Sequence, residues 1–268
     1  MSKLRIKRRK KLGTPEEHAE ELGQFSGNFD ILVVVPVPTF DHKVCAALSN
    51  FLSGVSARHI GLVRLIDGRN PENARNAMID KFLYDDDYKK HTHILFVDAD
   101  TCPLNPYALE KLLIADKPII SGITPVLWRQ NQQTGMFWNV RIPDKPRNLW
   151  LNEVPETGLF KAEYVGASFM LCRRDALEKL QKPYMKLEYD FECIQFKKGE
   201  DYYFCEKLRD AGFDIWIDPE VQCHHYHYLD MMEIIQMIAR YAEQNSEVAE
   251  LEAEIEKLKK LLEEHQAA

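Results

Sequence analysis

The sequence predicts an α/β fold, in which a Rossmann-like, mostly parallel sheet is flanked by helices and followed by a C-terminal helical extension. Short apolar runs alternate with amphipathic segments from residue 29 onward. This alternation is typical of a parallel sheet that helices cover on both faces. The chain has 268 residues, of which 45% are hydrophobic, so it is long enough to bury the core that such a sheet requires.

The order of the elements is set by the apolar runs and by residues that begin or end helices. Asn70 followed by Pro71 predicts a helix start, and Asn105 followed by Pro106 repeats it. Gly212 predicts a helix end. The predicted strands span 30–36, 60–67, 93–98, 117–123, 163–174 and 213–219, and the predicted helices span 42–52, 71–83, 106–114, 175–180 and 199–212. Residues 124–160 are less regular and predict a loop or small sheet on the substrate side.

The chain divides into three predicted parts. Residues 1–28 form a basic leader that we expect to be flexible, because 3–11 read KLRIKRRKK. The α/β domain spans 29–228. Residues 229–268 form a helix with a heptad pattern too short to be stable alone, so we expect a homo-oligomer formed through this coiled coil. The heptad positions are Val248, Leu251, Ile255, Leu258 and Leu262.

Composition excludes several classes of protein. A net charge of −7 argues against a general nucleic-acid binder. The six cysteines are scattered without a C-x-x-C pair, which favours free thiols in a reducing cytosol. No apolar run is long enough for a membrane span, and the leader lacks the apolar segment of a secretory signal. We therefore expect a cytoplasmic protein whose basic leader permits peripheral contact with a membrane.

An acid pair follows the third predicted strand in the segment HILFVDADTCP. Asp98 and Asp100 lie two residues apart, so the alternation of an extended chain places them on one side, at the edge of a parallel sheet where ligands bind. Two neighbouring carboxylates repel unless a cation lies beside them. A hard divalent ion such as manganese or magnesium would serve. Alternatively, both acids cap the following turn.

The acid pair alone leaves several classes of protein open. A P-loop ATPase is excluded, because the chain contains no G-x-x-x-x-G-K-[ST]. A phosphatase of the haloacid-dehalogenase type carries a similar D-x-D after an apolar strand. Here, however, Thr101 falls one position early and the motif lies on the third strand, so this phosphatase remains a minor alternative.

Five segments across 29–228 together resemble a nucleotide-sugar glycosyltransferase of the A-type fold, similar to family 2 enzymes. They are VVVPVPTF, RNPENARNAMIDKF, FVDADTCPLNPYALEKL, EYVGASFMLCRRDALEKL and GEDYYFCEKLRDAGFDIWIDPEVQCHHYHY. The resemblance implies transfer of a sugar from a nucleoside-diphosphate sugar to an acceptor hydroxyl, with a divalent metal bridging the donor phosphates.

The resemblance also implies roles for residues of the donor side. The end of the first strand would hold the nucleotide base, Asp67 would contact the base or ribose, and Arg75 would neutralise phosphate. Asp98 would contact the ribose or help to hold the metal, and Asp100 would bind it directly. The residues at the end of the first strand are Pro36, Val37 and Pro38.

On the acceptor side, the resemblance assigns the general base to Asp201, and Glu200 would hold the acceptor or a neighbouring loop. A base opposite the metal-held leaving group implies inversion at the sugar carbon. The alternative for this pair is that acids simply favour the first turn of a helix. Among the late histidines, His225 is favoured as a metal ligand and His224 is the second choice.

The nature of the acceptor stays open in the sequence. A glycan, a lipid-linked glycan or another hydroxyl compound fits, and the basic leader also permits a nucleic-acid acceptor, which we do not favour. A rival hypothesis from another class is a catalytically silent protein of this fold that acts as a scaffold through its coiled coil. The presence of both acid pairs together with the histidines argues against this rival.

Overall fold

The computed structural model describes residues 30–37, 46–58, 61–67, 70–130, 133–190, 195–226 and residue 239. The helices are α1 (Ala46–Ala57), α2 (Pro71–Tyr84), α3 (Ala108–Ile114), α4 (Arg174–Leu177) and α5 (Glu200–Asp210), and a 3-10 turn spans Asp86–Tyr88. The strands are β1 (Ile31–Val37), β2 (Gly61–Asp67), β3 (His93–Val97), β4 (Thr101–Pro103), β5 (Ile119–Ile123), β6 (Pro125–Gln130), β7 (Gln133–Trp138), β8 (Val140–Arg141), β9 (Phe160–Ala162), β10 (Tyr164–Val165), β11 (Phe169–Arg173), β12 (Glu188–Asp190), β13 (Gln195–Lys198) and β14 (Ile215–His225).

A mixed sheet of eight strands organises the unit formed by residues 1–126 and 136–226. Its order is β2-β1-β3-β11-β5-β14-β4, and β9 pairs with β14. Strands β1, β2, β3, β5 and β14 run in one direction, whereas β4, β9 and β11 run against them. The predicted fold class, an α/β protein with a mostly parallel sheet between helices, is confirmed. The reversed strand β11 lies between β3 and β5.

The core explains why the central strands are apolar without alternation. Every residue of β1 and β3 is buried. Leu32 and Val34 belong to one apolar cluster, while Ile31 and Val33 belong to a second one. Successive side chains of a strand point to opposite faces, so the sheet packs against an apolar layer on each side. Burial on both faces is the condition under which a strand reads as a continuous hydrophobic run.

Helix α2 begins as the sequence predicts. The Asn70 side chain accepts a hydrogen bond from the backbone N–H of Asn73, and Pro71 occupies the first turn. This arrangement satisfies a backbone donor that a helix start leaves without a partner. The second predicted start is displaced, because α3 begins at Ala108 rather than at Pro106. There the Asn105 side chain accepts from the N–H of Tyr107 and closes a turn before the helix.

Two predicted strands have different bounds in the structure. The segment 163–174 contains β10 and β11, separated where the Gly166 N–H donates to the Asn139 carbonyl at 2.9 Å. The last strand extends beyond Pro219 to His225, with an irregular register against β5 between Ile217 and Gln222. This longer strand places its final residues beside β4, directly after the acid pair.

Two predicted segments lie outside the described residues. They are the basic leader, residues 1–28, and the C-terminal helix, of which residue 239 alone is described. A second unit comprises 127–135 and 227–268. Apart from residue 239, its described residues belong to β6 and β7, which pair as a two-stranded sheet. Among the helices that are described, none is both long and apolar enough to cross a membrane.

Candidate active site

An open pocket of about 550 Å³ lies where β3 ends and α5 begins. This volume includes space that is open to solvent, and the part of it that is accessible to a water-sized ligand is about 200 Å³. Asp98 follows β3 directly and is held there by two backbone bonds: its N–H donates to the Ser168 carbonyl, and its carbonyl accepts from Thr101. The lining residues are Arg75, Asp98, Thr124, Val126, Asn139, Asn148, Gly166, Ala167, Ser168, Glu200, Asp201, Tyr202 and His225.

Arg75 joins the two acidic segments of the pocket. Its side chain is 5% exposed, and its Nη2 donates to Asp98 Oδ1 in a short ion pair. Its Nη1 donates to Glu200 Oε1 at 3.0 Å. Sequence reasoning assigned Arg75 to donor phosphate, but the structure gives its terminal nitrogens two carboxylate partners. The guanidinium therefore fixes the third strand end relative to the start of α5.

The Asp201 carboxylate has a raised pKa. Burial raises its pKa to about 6, and the neighbouring Glu200 charge adds to this, while Arg75 opposes it. The Tyr202 backbone N–H donates to Asp201 Oδ1 at 2.8 Å. A carboxylate whose pKa lies near neutral pH suits a general base.

Glu200 is ion-paired with Arg75, and this pairing distinguishes it from its neighbour Asp201. Glu200 Oε1 is already bonded to a buried cation, whereas Asp201 faces a space kept open by Gly166. A Cβ at Gly166 would lie 3.3 Å from Asp201 Oδ2. Both acids line the pocket, and Asp201 Oδ2 is the oxygen that a side chain at position 166 would contact.

A buried polar network forms another wall of the pocket. The Asn139 side chain accepts from the Thr124 N–H at 2.9 Å and donates to Ser168 Oγ at 3.1 Å. The Thr124 and Ser168 hydroxyls lie 2.8 Å apart. These three residues connect β5, β11 and the loop before β8, and their mutual bonds satisfy polar groups that would otherwise destabilise the buried wall.

Tyr202 connects α5 to the loop between β8 and β9. Its hydroxyl donates to Asn148 Oδ1 at 2.5 Å, and burial raises the pKa of Tyr202 to about 12, so the hydroxyl stays protonated. Its ring packs on Tyr164 with a centroid separation of 4.8 Å, and Arg141 lies over both rings. Asn148 is thereby held at the pocket rim.

Asp100 and His225 meet at the adjoining edge. Asp100 Oδ2 lies 3.5 Å from His225 Nε2, and the Tyr226 N–H donates to the Asp100 carbonyl. His225 Nδ1 lies 2.9 Å from the Pro125 carbonyl. Burial lowers the pKa of His225, but Asp100 and the Pro125 carbonyl outweigh burial and raise it. A ring held at Nδ1 by a carbonyl, with Nε2 turned to a carboxylate, is the arrangement of a metal-binding histidine.

The donor set at this edge could supply part of a divalent-metal site. Asp100 and His225 present one carboxylate oxygen and one imidazole nitrogen, and imidazole nitrogen suits transition metals. In the described part of the chain, no group of three or more His, Cys, Asp or Glu residues has metal-binding geometry.

The remaining predicted site residues lie around this pocket or apart from it. Val37 and Asp67 are paired at the ends of β1 and β2, and Pro36 is buried next to Val37. These residues do not line the pocket, and Pro38 lies outside the described residues. His224 is exposed, and its ring lies against Tyr226, so the structure does not bring His224 to Asp100.

Sequence reasoning missed the uncharged residues of the pocket. They are Thr124, Val126, Asn139, Asn148, Gly166, Ala167, Ser168 and Tyr202. Most lie on short strands or loops and contact residues about 15 to 60 positions away in sequence. The spacing of residues in the sequence therefore does not indicate that they share a site. The one local clue is the run of small residues 166–168, Gly-Ala-Ser, between two apolar segments.

Comparison with known proteins gives distant similarities of structure. A197 from STIV is 17% identical, with 75% of this chain and 86% of that chain covered and a TM-score of 0.48. GalNAc-T7, crystallised with UDP, GalNAc and Mn²⁺, is 12% identical, with 75% and 44% covered and a TM-score of 0.44. The catalytic domain of Drosophila β1,4-galactosyltransferase 7, in complex with xylobiose, is 14% identical, with 75% and 71% covered and a TM-score of 0.44.

No protein-family model and no curated protein matches the chain. The similar solved structures include the galactosyltransferase named above. At these identities and TM-scores the similarity concerns the course of the backbone, and the roles of individual residues rest on the geometry of the pocket.

Proposed function

We propose that this chain is a metal-dependent glycosyltransferase that moves a sugar from a nucleoside-diphosphate sugar to an acceptor hydroxyl, with inversion at the sugar carbon. The observation that carries the proposal is the Asp201 carboxylate, which borders an open pocket and has a pKa raised to about 6. The same pocket contains Asp98 and His225. A base and candidate groups for binding the donor therefore share one cavity.

Asp201 would accept the proton of the acceptor hydroxyl as its oxygen attacks the sugar carbon. A base with a pKa near 6 is mostly ionised at neutral pH and still binds a proton well, which is the condition for efficient general-base catalysis. Gly166 leaves room for the hydroxyl beside Asp201 Oδ2. Attack from the side opposite the leaving group gives inversion.

Arg75 and Glu200 would position the base rather than react. Arg75 bonds to both Asp98 and Glu200, and thereby fixes the distance between the end of β3 and the first turn of α5. Holding reacting groups in a fixed geometry lowers the entropic part of the barrier.

Asp100 and His225 would hold the divalent metal. When bound, such an ion stabilises negative charge on the departing nucleoside diphosphate as a Lewis acid. The contribution of the protein is to present a carboxylate and an imidazole at one edge, with the imidazole oriented through its Nδ1 by the Pro125 carbonyl.

A donor-turnover assay tests the proposal. The full chain is incubated with each common nucleoside-diphosphate sugar, with manganese or with a chelator, and release of nucleoside diphosphate is measured. We expect metal-dependent turnover of one donor, a loss in Asp201→Asn, and little change in Asp210→Asn, a matched control at the far end of α5. Absence of metal-dependent turnover on every donor would contradict the proposal and favour a scaffold role. The anomeric configuration of the product, read by NMR, tests inversion.

A further inference from the structure

The pocket that contains Asp201 is rich in negative charge. Three carboxylates line it, those of Asp98, Glu200 and Asp201. Among the described residues that line the pocket, Arg75 is the one arginine or lysine. A ligand entering this space meets more acidic groups than basic ones.

The positive charge of Arg75 is already balanced inside the protein. Its two terminal nitrogens bond to Asp98 and Glu200, and its side chain is 5% exposed. It can therefore offer little attraction to an incoming anion. Two carboxylates for one guanidinium leave one excess negative charge, and Asp201 adds a second one whenever it is ionised.

The arginines next to the pocket are also paired with carboxylates. Arg141 lies over the Tyr202 ring and pairs with Glu163 at 3.2 Å, and Glu163 also pairs with Arg209. Arg147, next to Asn148 in sequence, pairs with Glu153 at 2.7 Å, and Glu153 also pairs with Lys145. Neither Arg141 nor Arg147 lines the pocket, and each already has a carboxylate partner, so neither offers a bare guanidinium to a ligand inside it.

His225 also lines the pocket, and its Nε2 lies 3.5 Å from the Asp100 carboxylate. The remaining polar groups of the pocket are uncharged and suit hydroxyl groups. Hydroxyl or amide side chains are contributed by Thr124, Asn139, Asn148, Ser168 and Tyr202. Hydroxyls and amides both donate and accept hydrogen bonds, as the hydroxyls of a sugar do. The donor carries anionic phosphates, but it would bring a divalent cation with it, whereas an acceptor brings none.

We infer that the acceptor is an uncharged sugar, and that the pocket discriminates against acceptors with a carboxylate, sulfate or phosphate next to the reacting hydroxyl. The inference rests on the proposed function, since Asp201 marks where that hydroxyl must lie. Two like charges about 6 Å apart, at an effective dielectric constant of about 20, repel enough to weaken binding roughly 100-fold. Screening by salt reduces this penalty, so we expect a preference of tenfold or more.

The test uses matched acceptors that differ in one group. Methyl glycosides of glucose, galactose and mannose are compared with the corresponding uronates and with the uronamides, which have nearly the size of the uronate without its charge. Binding to the full chain is measured by saturation-transfer NMR without donor, and kcat/KM is measured in the donor assay. We expect neutral glycosides and uronamides to exceed uronates at least tenfold, with a smaller gap at high salt.

The outcomes separate this inference from the proposed function. If uronates bind or react as well as neutral glycosides, the inference is wrong. Donor turnover in the same assay would still support the proposed glycosyltransferase. Preferential binding of neutral glycosides without any donor turnover would support charge discrimination by the pocket but contradict the proposed reaction, and the bound sugar would then not be an acceptor. If uronamides are rejected as strongly as uronates, exclusion is steric and the inference is wrong. Failure of every probe to bind or react also overturns it, as does a preference for a phosphorylated or nucleic-acid acceptor.

Discussion

Two ion-pair clusters of this protein have opposite compositions and opposite effects on their carboxylates. At the pocket, the single cation Arg75 is shared by Asp98 and Glu200, with Asp201 beside them. In the loop between β8 and β9, the single acid Glu153 is shared by two cations, Lys145 and Arg147. Hereafter these are the Arg75 cluster and the Glu153 cluster.

The difference shows how the ratio of charges sets the protonation of an acid. Glu153 is bonded to Arg147 and Lys145 and also accepts from the Trp150 N–H, and these bonds lower its pKa to about 2 despite some burial. Asp201 is buried next to other carboxylates, and its pKa rises to about 6. A group that is surrounded by donors stays ionised and supports structure, whereas one in an excess of acids can exchange a proton near neutral pH.

Substitution of Asp201 should have the largest effect on activity. In Asp201→Asn the amide keeps the volume but cannot accept the acceptor proton, so kcat should fall by roughly 10²–10⁴-fold, the usual contribution of a general base. Steady-state kinetics with the metal and donor at saturation measure this. Glu153→Gln, the equivalent change in the other cluster, serves as the control and should leave kcat within a few fold. Comparable losses of kcat in Asp201→Asn and Glu153→Gln would contradict the distinction between the two clusters.

Loss of Asp100, which we propose as a metal ligand, should have the next largest effect on activity. Asp100→Ala removes a carboxylate facing His225 Nε2 and should weaken the response of activity to manganese by on the order of 10–100-fold, similar to other losses around metal sites. Titration of manganese in the turnover assay measures the shift. His224→Ala, which changes an exposed neighbour, should leave the manganese dependence unchanged. A shift in His224→Ala equal to that in Asp100→Ala would reverse this assignment of the ligands.

Arg75 links stability to catalysis and should show both effects. Arg75→Gln leaves two carboxylates without their cation, so the free energy of unfolding should drop by roughly 2–3 kcal/mol. Arg75 lowers the pKa of Asp201, so this pKa should rise in Arg75→Gln. The acidic limb of the kcat/KM profile should then move to higher pH. Arg75→Lys keeps the charge and should restore part of both. Denaturant melts and pH profiles check this, and a destabilised variant with an unmoved profile would limit Arg75 to a structural role.

The Glu153 cluster should respond in stability alone, and by the smallest amount. The pKa of Glu153 is lowered to about 2, so its contribution to stability is complete above about pH 4.5 and disappears as the pH falls through 2. Glu153→Gln should cost roughly 1–2 kcal/mol at pH 7, since the cluster is partly open to solvent. The cost should shrink towards pH 2. A pH-independent cost in denaturant melts would show that packing, not charge, stabilises this loop.

The fold could largely be predicted from the sequence, because local signals determine it. Neighbouring residues in the sequence are enough to identify the continuous apolar runs of β1 and β3 and the Asn70 cap of α2. The reversal of β11 could not be predicted, since strand direction depends on which segments pair, and β11 pairs with β3 more than seventy residues away.

The charged residues that line the pocket are among those that the sequence singles out, whereas the uncharged ones are not. Asp98, Glu200, Asp201 and His225 are found in one pocket, and each stands out in sequence as an acid or histidine at an element boundary. Asn139 and Ser168 are indistinguishable from surface polar residues until the chain folds. The partners of Arg75 were also beyond prediction, because Glu200 lies 125 residues away from it in sequence.

The pH dependence of kcat/KM tests the central claim, that Asp201 is the base, most directly. Because the base must be ionised to act, the account predicts that log kcat/KM falls with a slope of one as the pH drops below about 6. Asp201→Asn should retain a low activity without this acidic limb. An acidic limb that persists at the same pH in Asp201→Asn would contradict the assignment and place the base on another group.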